Sequence, residues 1–181
     1  MRLPEISRTI KVPEDVDVSL AGKKVTVKGE KGTLERDFSS ATVSIGSEGK
    51  DVFVRAEWPR KKEAALVGTV YSHIQNMIIG VQRGFTYKLK IVFSHFPISV
   101  KTQGKAVIIE NFTGERRGRK AKIIGDVKVK IESEDIVVQG INLEDVSQTS
   151  ANIEQSTKVK KKDPRVFLDG IYVYERNEGM N

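Results

Sequence analysis

Apolar residues along this chain keep two different periods. Val16 and Val18, then Val25 and Val27, alternate with polar residues on either side of Gly22-Lys23, the period-two pattern of two half-buried strands joined by a tight turn. Val43 and Ile45, then Val52 and Val54, repeat it around a second polar turn at Asp51. The period then changes. Val67, Val70, Tyr71, Ile74, Met77, Ile78 and Val81 recur at steps of three and four, which lines one face of a helix and predicts that this face is buried against the strands. Pro59 marks the helix start, and Gly80 and Gly84 mark its end.

The same order then returns. Ile98, Val100, Gly104, Lys105, Val107, Ile109 and Gly114 match Val16, Val18, Gly22, Lys23, Val25, Val27 and Gly32 at a constant offset. Val127, Val129, Asp135, Ile136 and Val138 match Val43, Ile45, Asp51, Val52 and Val54 with two residues added between the blocks. A second helix is expected to begin at an Asn142 cap with Asp145 three positions on, carrying Leu143, Val146 and Ile153 on a weaker apolar face. Repetition of this kind sets the domain count. The expected fold is α+β, two tandem repeated domains of short, mostly antiparallel strands, each with one covering helix. The domains span 1–82 and 83–181, with the boundary near Gln82 and Arg83, and residues 85–93 open the second sheet directly.

Composition narrows the function. With 181 residues and 38% apolar content the chain can bury real cores. Cysteine is absent, which removes disulfides, thiolate metal sites and thiol nucleophiles and fits a reducing, cytoplasmic setting. The first residues hold no run of signal-peptide length, and no stretch reads as the roughly 20 apolar residues a membrane span needs, so a soluble protein with no membrane partner is expected. The net charge of +7 calls for a polyanionic partner.

That charge is concentrated. Residues 1–82 hold 13 basic and 11 acidic side chains, residues 83–181 hold 18 and 13. Within the second half, residues 111–122 carry Arg116, Arg117, Arg119, Lys120 and Lys122 against one acid, and residues 156–165 carry Lys158, Lys160, Lys161, Lys162 and Arg165 against one acid. An excess serving only solubility would be spread more evenly. The first segment lies in a loop between strands, where Gly114 and Gly118 permit close backbone approach and arginine forks can engage phosphate; the competing reading is a solvated hairpin tip. The second segment runs through Asp163-Pro164, where proline stops helix continuation, into Val166, Phe167, Ile171, Tyr172 and Tyr174. Those aromatics, Tyr172 among them, either stack on unpaired bases or complete the core, with Phe167, Ile171 and Val173 anchoring a last strand and Gly170 permitting a turn. RNA is the partner these segments suit.

Enzymatic chemistry finds no support. His73 and His95 stand in different repeats without metal-ligand spacing, and no nucleophile elbow, phosphate loop or dinucleotide glycine pattern is present. His73 reads as a helix-face residue packed on the sheet or touching RNA. Asp15 and Asp17 read as turn acids in preference to a metal site. No catalytic residue, metal, cofactor or small-molecule substrate is assigned.

Four motifs carry a resemblance to a known family. Ser72-His73-Ile74-Gln75-Asn76-Met77-Ile78, closed by Gly80-Val81, is followed by Gly84-Phe85, Tyr87-Lys88, His95-Phe96-Pro97-Ile98 and Asp169-Gly170-Ile171-Tyr172-Val173. Together they resemble large ribosomal subunit protein six in its archaeal and eukaryotic form, over nearly the whole chain. The resemblance implies a pair of similar sheet-and-helix domains and a structural constituent of the large ribosomal subunit. It further implies rRNA binding chiefly through the C-terminal domain, and a place near the sarcin-ricin loop and stalk base, beside neighbouring ribosomal proteins and docking translation factors. Bacterial members share a Gly-Lys-Gly-Ile-Arg-Tyr segment where this chain reads Lys160-Lys161-Lys162-Asp163-Pro164-Arg165-Val166-Phe167, so their contacts do not transfer. The long tails frequent in eukaryotic members have no counterpart, which suggests an archaeal source. An RNA-binding regulator or chaperone acting outside the ribosome is the alternative function.

Overall fold

A computed structural model describes residues 4–93, 96–160, 162–163 and 165–180. His95, Lys161 and Pro164 therefore lie outside the described residues. The chain divides into two compact units, Met1–Arg83 and Gly84–Asn181.

The first unit contains β1 (Glu5–Ile10), β2 (Asp17–Ala21), β3 (Lys24–Gly29), β4 (Gly32–Asp37), β5 (Ser44–Glu48), β6 (Asp51–Glu57) and α1 (Lys61–Gln82). Its strands form two antiparallel sheets, ordered β1-β6-β5 and β2-β3-β4. Valines alternate inward from these strands, so Val25, Val27, Val52 and Val54, with Val43 just before β5, are all but sealed from solvent. Onto them α1 lays Val67, Val70, Ile74, Ile78 and Val81, the face its periodicity predicts. By length and composition α1 also suffices to cross a membrane, which corrects the expectation that no stretch does. Burial of that face in the first unit's core accounts for its apolarity. Gly80 is buried inside the helix and does not end it; Gly84, at φ 75°, does.

The second unit repeats this plan. It contains β7 (Phe85–Val92), β8 (Ser99–Gln103), β9 (Ala106–Glu110), β10 (Arg119–Lys122), β11 (Lys128–Glu132), β12 (Asp135–Gly140), α2 (Leu143–Ser156) and β13 (Gly170–Glu178). The sheets are β10-β9-β8 and β11-β12-β7-β13, again antiparallel. Strand for strand, β7 to β12 stand where β1 to β6 stand, and the Gly22-Lys23 and Gly104-Lys105 turns each carry a glycine at positive φ. Asn142 caps α2 by accepting a hydrogen bond from the Glu144 amide at 3.0 Å.

The second unit departs from the repeat in two places. Residues 30–31 suffice to join β3 to β4, whereas β9 and β10 are joined by residues 111–118. Gly32 therefore opens a strand while Gly114 sits in a loop, and their match in sequence is not one in structure. The other departure follows α2: residues 157–169 lead into β13, which covers the edge of β7 and has no counterpart among the described residues of the first unit. Arg116, Arg117, Lys158, Lys160, Lys162 and Arg165 fall on these departures, whereas Arg119, Lys120 and Lys122, expected in a loop, lie on β10.

Candidate nucleic-acid interface

Beyond β9 the chain makes one turn of 3-10 helix, Phe112–Gly114. Asn111 and Thr113 hold φ of 58° and 49°, a left-handed backbone that costs a non-glycine residue about 1–2 kcal/mol. Such strain persists where neighbouring contacts over-determine it. Here Phe112 is buried to 1% exposure, Asn111 Nδ2 donates to the Pro97 carbonyl at 3.0 Å, and the Glu115 amide donates to the Phe112 carbonyl at 3.0 Å. The loop is thus pinned at its base, and Arg116 and Arg117 stand exposed at its tip.

Arg119, the first residue of β10, has a different environment. Its guanidinium lies over the Phe112 ring, 4.3 Å from the centroid, and its Nε and Nη2 donate to the two carboxylate oxygens of Glu115, the former at 2.9 Å. Its Nη1 donates to the carbonyls of Ser156 at 2.8 Å and Lys158 at 3.2 Å. Ser156 ends α2, a helix with no cation of its own in the last turn, so Arg119 supplies from a strand the positive charge that the helix C-terminus favours. Asn152 Nδ2 adds a second tie, donating to the Lys122 carbonyl at 2.9 Å. The two basic segments, distant in sequence, become neighbours.

Between them lies a cleft lined by Glu115, Arg117, Arg119, Lys120, Ser156 and Lys160. Glu115 registers the field: hydrogen bonding from Arg119 foremost, then the charges of Arg119, Lys160 and Lys162, hold its carboxyl below the ordinary range against the opposing effect of burial. Lys120 and Lys122 are exposed on either side of buried Ala121, and Lys158, Lys160 and Lys162 are exposed beyond the helix. Lys162 Nζ sits 4.4 Å from the Phe167 ring centroid. Arg165 is turned onto Asp163, with Nη2 at 3.1 Å from a carboxylate oxygen. Tyr172 is set apart: Ile171 is buried toward α2, so Tyr172 projects from the opposite face of the sheet and donates to the Leu168 carbonyl at 3.1 Å.

Two expectations about the last segment need correction. Phe167 is only half-buried, and Ile171, at 0% exposure, is the residue that anchors β13. Gly170 makes no turn but begins the strand, and a side chain there would meet the Tyr172 ring at 2.8 Å. Sequence reasoning missed Phe112, Glu115 and the carbonyls at the end of α2. The four-residue spacing of Glu115 and Arg119 was a signal for the pair; nothing local announces the carbonyls.

Among the described residues, no group of three or more His, Asp or Glu side chains is placed to hold a metal ion. Asp15 accepts hydrogen bonds from Gln82 Nε2 at 2.9 and 2.8 Å, and His73 Nδ1 lies 3.2 Å from Arg36 Nη1.

Comparison with known proteins agrees with the duplicated fold: the family model for Ribosomal protein L6 matches twice, at residues 12–84 and 96–170, once in each unit. The chain belongs to the ribosomal protein L6 family. That makes it a ribosomal protein and not an enzyme. Relatives carrying the name Large ribosomal subunit protein uL6 include one from Methanosphaera stadtmanae, 52% identical over 98% of this chain and 97% of its own. Others from Desulfurococcus amylolyticus, 50% identical over 99% of both chains, and from Aeropyrum pernix, 53% identical over 92% of both, match as fully. The L6 repeat thus coincides with the sheet-and-helix repeat of the fold.

Proposed function

We propose that this L6 family member is a structural constituent of the cytoplasmic large ribosomal subunit, holding large-subunit rRNA through its second unit, beside neighbouring ribosomal proteins. Its position is near the sarcin-ricin loop and stalk base, where translation factors dock. The observation that carries the reading is the convergence of exposed Arg117, Lys120 and Lys160 on one cleft, with Arg116 and Lys158 exposed on the same two segments. Cations without buried partners suit phosphate, and loop-borne groups aimed at backbone favour recognition of RNA shape over base sequence. Binding by such groups releases counterions, so affinity for an rRNA transcript should fall steeply as salt rises. Co-sedimentation with the large subunit and a salt titration test this together. A chain found free of the subunit supports the extra-ribosomal regulator instead, and a flat salt dependence removes the electrostatic basis.

A further inference from the structure

We infer that Arg119 is a positioning residue that joins the 111–118 loop and the 157–160 segment into one rRNA phosphate-binding cleft. The inference rests on the proposed function. It goes beyond it in making the two segments a single site and in taking Arg119 out of the set of direct phosphate ligands.

A guanidinium has five N–H donors, and four of those on Arg119 are committed: two to Glu115, one each to the carbonyls of Ser156 and Lys158. Its flat face is covered by Phe112, and its side chain is 22% exposed. Arg116 and Arg117, a few residues earlier, are exposed. The three arginines of one short segment therefore divide into two that face solvent and one that spans the base of the cleft. Phe112 and Glu115 belong to the loop, Ser156 and Lys158 to the other wall, so a single planar group fixes the distance between them. Lysine cannot match this, since its ammonium has three N–H donors against the four hydrogen bonds made here and no flat fork for the carboxylate. Neither wall is rigid by regular structure: one is an irregular loop and the other has left its helix. Pre-fixing them reduces the ordering that RNA would otherwise have to impose.

The test is a double-mutant cycle on the full chain, titrated with a large-subunit rRNA transcript at several salt concentrations. One variant carries Arg116→Ala with Arg117→Ala, another Lys158→Ala with Lys160→Ala, a third all four, and the set is repeated with Arg119→Gln. In the native background the combined loss is expected to fall short of the product of the separate losses by at least about fivefold, because removing either wall already loosens the phosphate held by the other. With Arg119→Gln that shortfall is expected to shrink below about twofold. Arg119→Gln alone should lower affinity while keeping the salt slope, since it removes no phosphate contact. Should Arg119→Gln unfold the second unit, Arg119→Lys carries the same test, with the same loss of coupling expected. Losses that simply multiply in the native background overturn the inference and leave rRNA binding by both walls standing. A salt slope lowered by about one phosphate contact in Arg119→Gln makes Arg119 a direct ligand and also overturns it. If the four-fold variant binds as tightly as the native chain, the proposed function falls and this inference with it.

Discussion

Gly49 and Ser133 occupy the same place in the two repeats, the first residue of the turn between the last two strands before each helix, at φ 63° and 55°. The left-handed backbone strains a side chain by about 1–2 kcal/mol, while glycine loses about 0.5–1 kcal/mol more chain entropy on folding. The balance favours glycine. Gly49→Ala should therefore destabilise by about 1 kcal/mol and Ser133→Gly should stabilise by up to about 1 kcal/mol, both read from urea midpoints. Ile171 and Phe167 form a second pair of opposites. Ile171→Ala empties a sealed site and should destabilise by roughly 2–5 kcal/mol. Phe167→Ala, which removes a half-buried ring capped by Lys162, should destabilise by about 1–2 kcal/mol, and thermal unfolding of both variants decides whether the order holds.

At the scale of elements, α1 and α2 show why one helix was plain in the sequence and the other faint. The buried face of α1 is Val67, Val70, Ile74, Met77, Ile78 and Val81, whereas that of α2 includes Thr149 and Ser150 between Val146 and Ile153. Thr149 is fully buried because its Oγ1 accepts the Ile124 amide at 3.0 Å, and Ser150 donates to the Val146 carbonyl at 2.8 Å. Hydroxyls that satisfy buried backbone read as polar in a pattern and act as core in a structure. Thr149→Val should consequently destabilise by about 1–3 kcal/mol despite its added apolar atom, because a buried amide loses its acceptor; Thr149→Ser should retain most of the stability in urea unfolding. The strands and the Gly-Lys turns were legible for the opposite reason, since alternation and a glycine turn are local properties. Neither the long β9–β10 loop nor the Arg119 tie is local. The glycines and cations of the segment did mark a loop, but not where it ends at β10, and the tie depends on where the end of α2 comes to rest.

Across the whole molecule, duplication supplies the scaffold and the departures from duplication carry the charge. The location of the cations, more than the net charge of +7, should then govern rRNA affinity. Replacing exposed Lys11, Lys28, Lys31 and Lys50 of the first unit by alanine removes as many charges as replacing Arg116, Arg117, Lys158 and Lys160. The first set is expected to weaken rRNA binding severalfold less than the second, with a smaller change in salt slope; equal effects would mean that only total charge counts. The strand that covers β7 also imposes an order on events during synthesis. β7 opens the second unit and β13 closes it, so on a growing chain one edge of β7 stays without its partner while everything between is translated. Pairing across so long a separation is slow. Among its described residues the first unit has no strand so deferred and can close as soon as α1 has emerged, leaving the wall formed by residues 157–160 among the last parts of the second unit to be held in place.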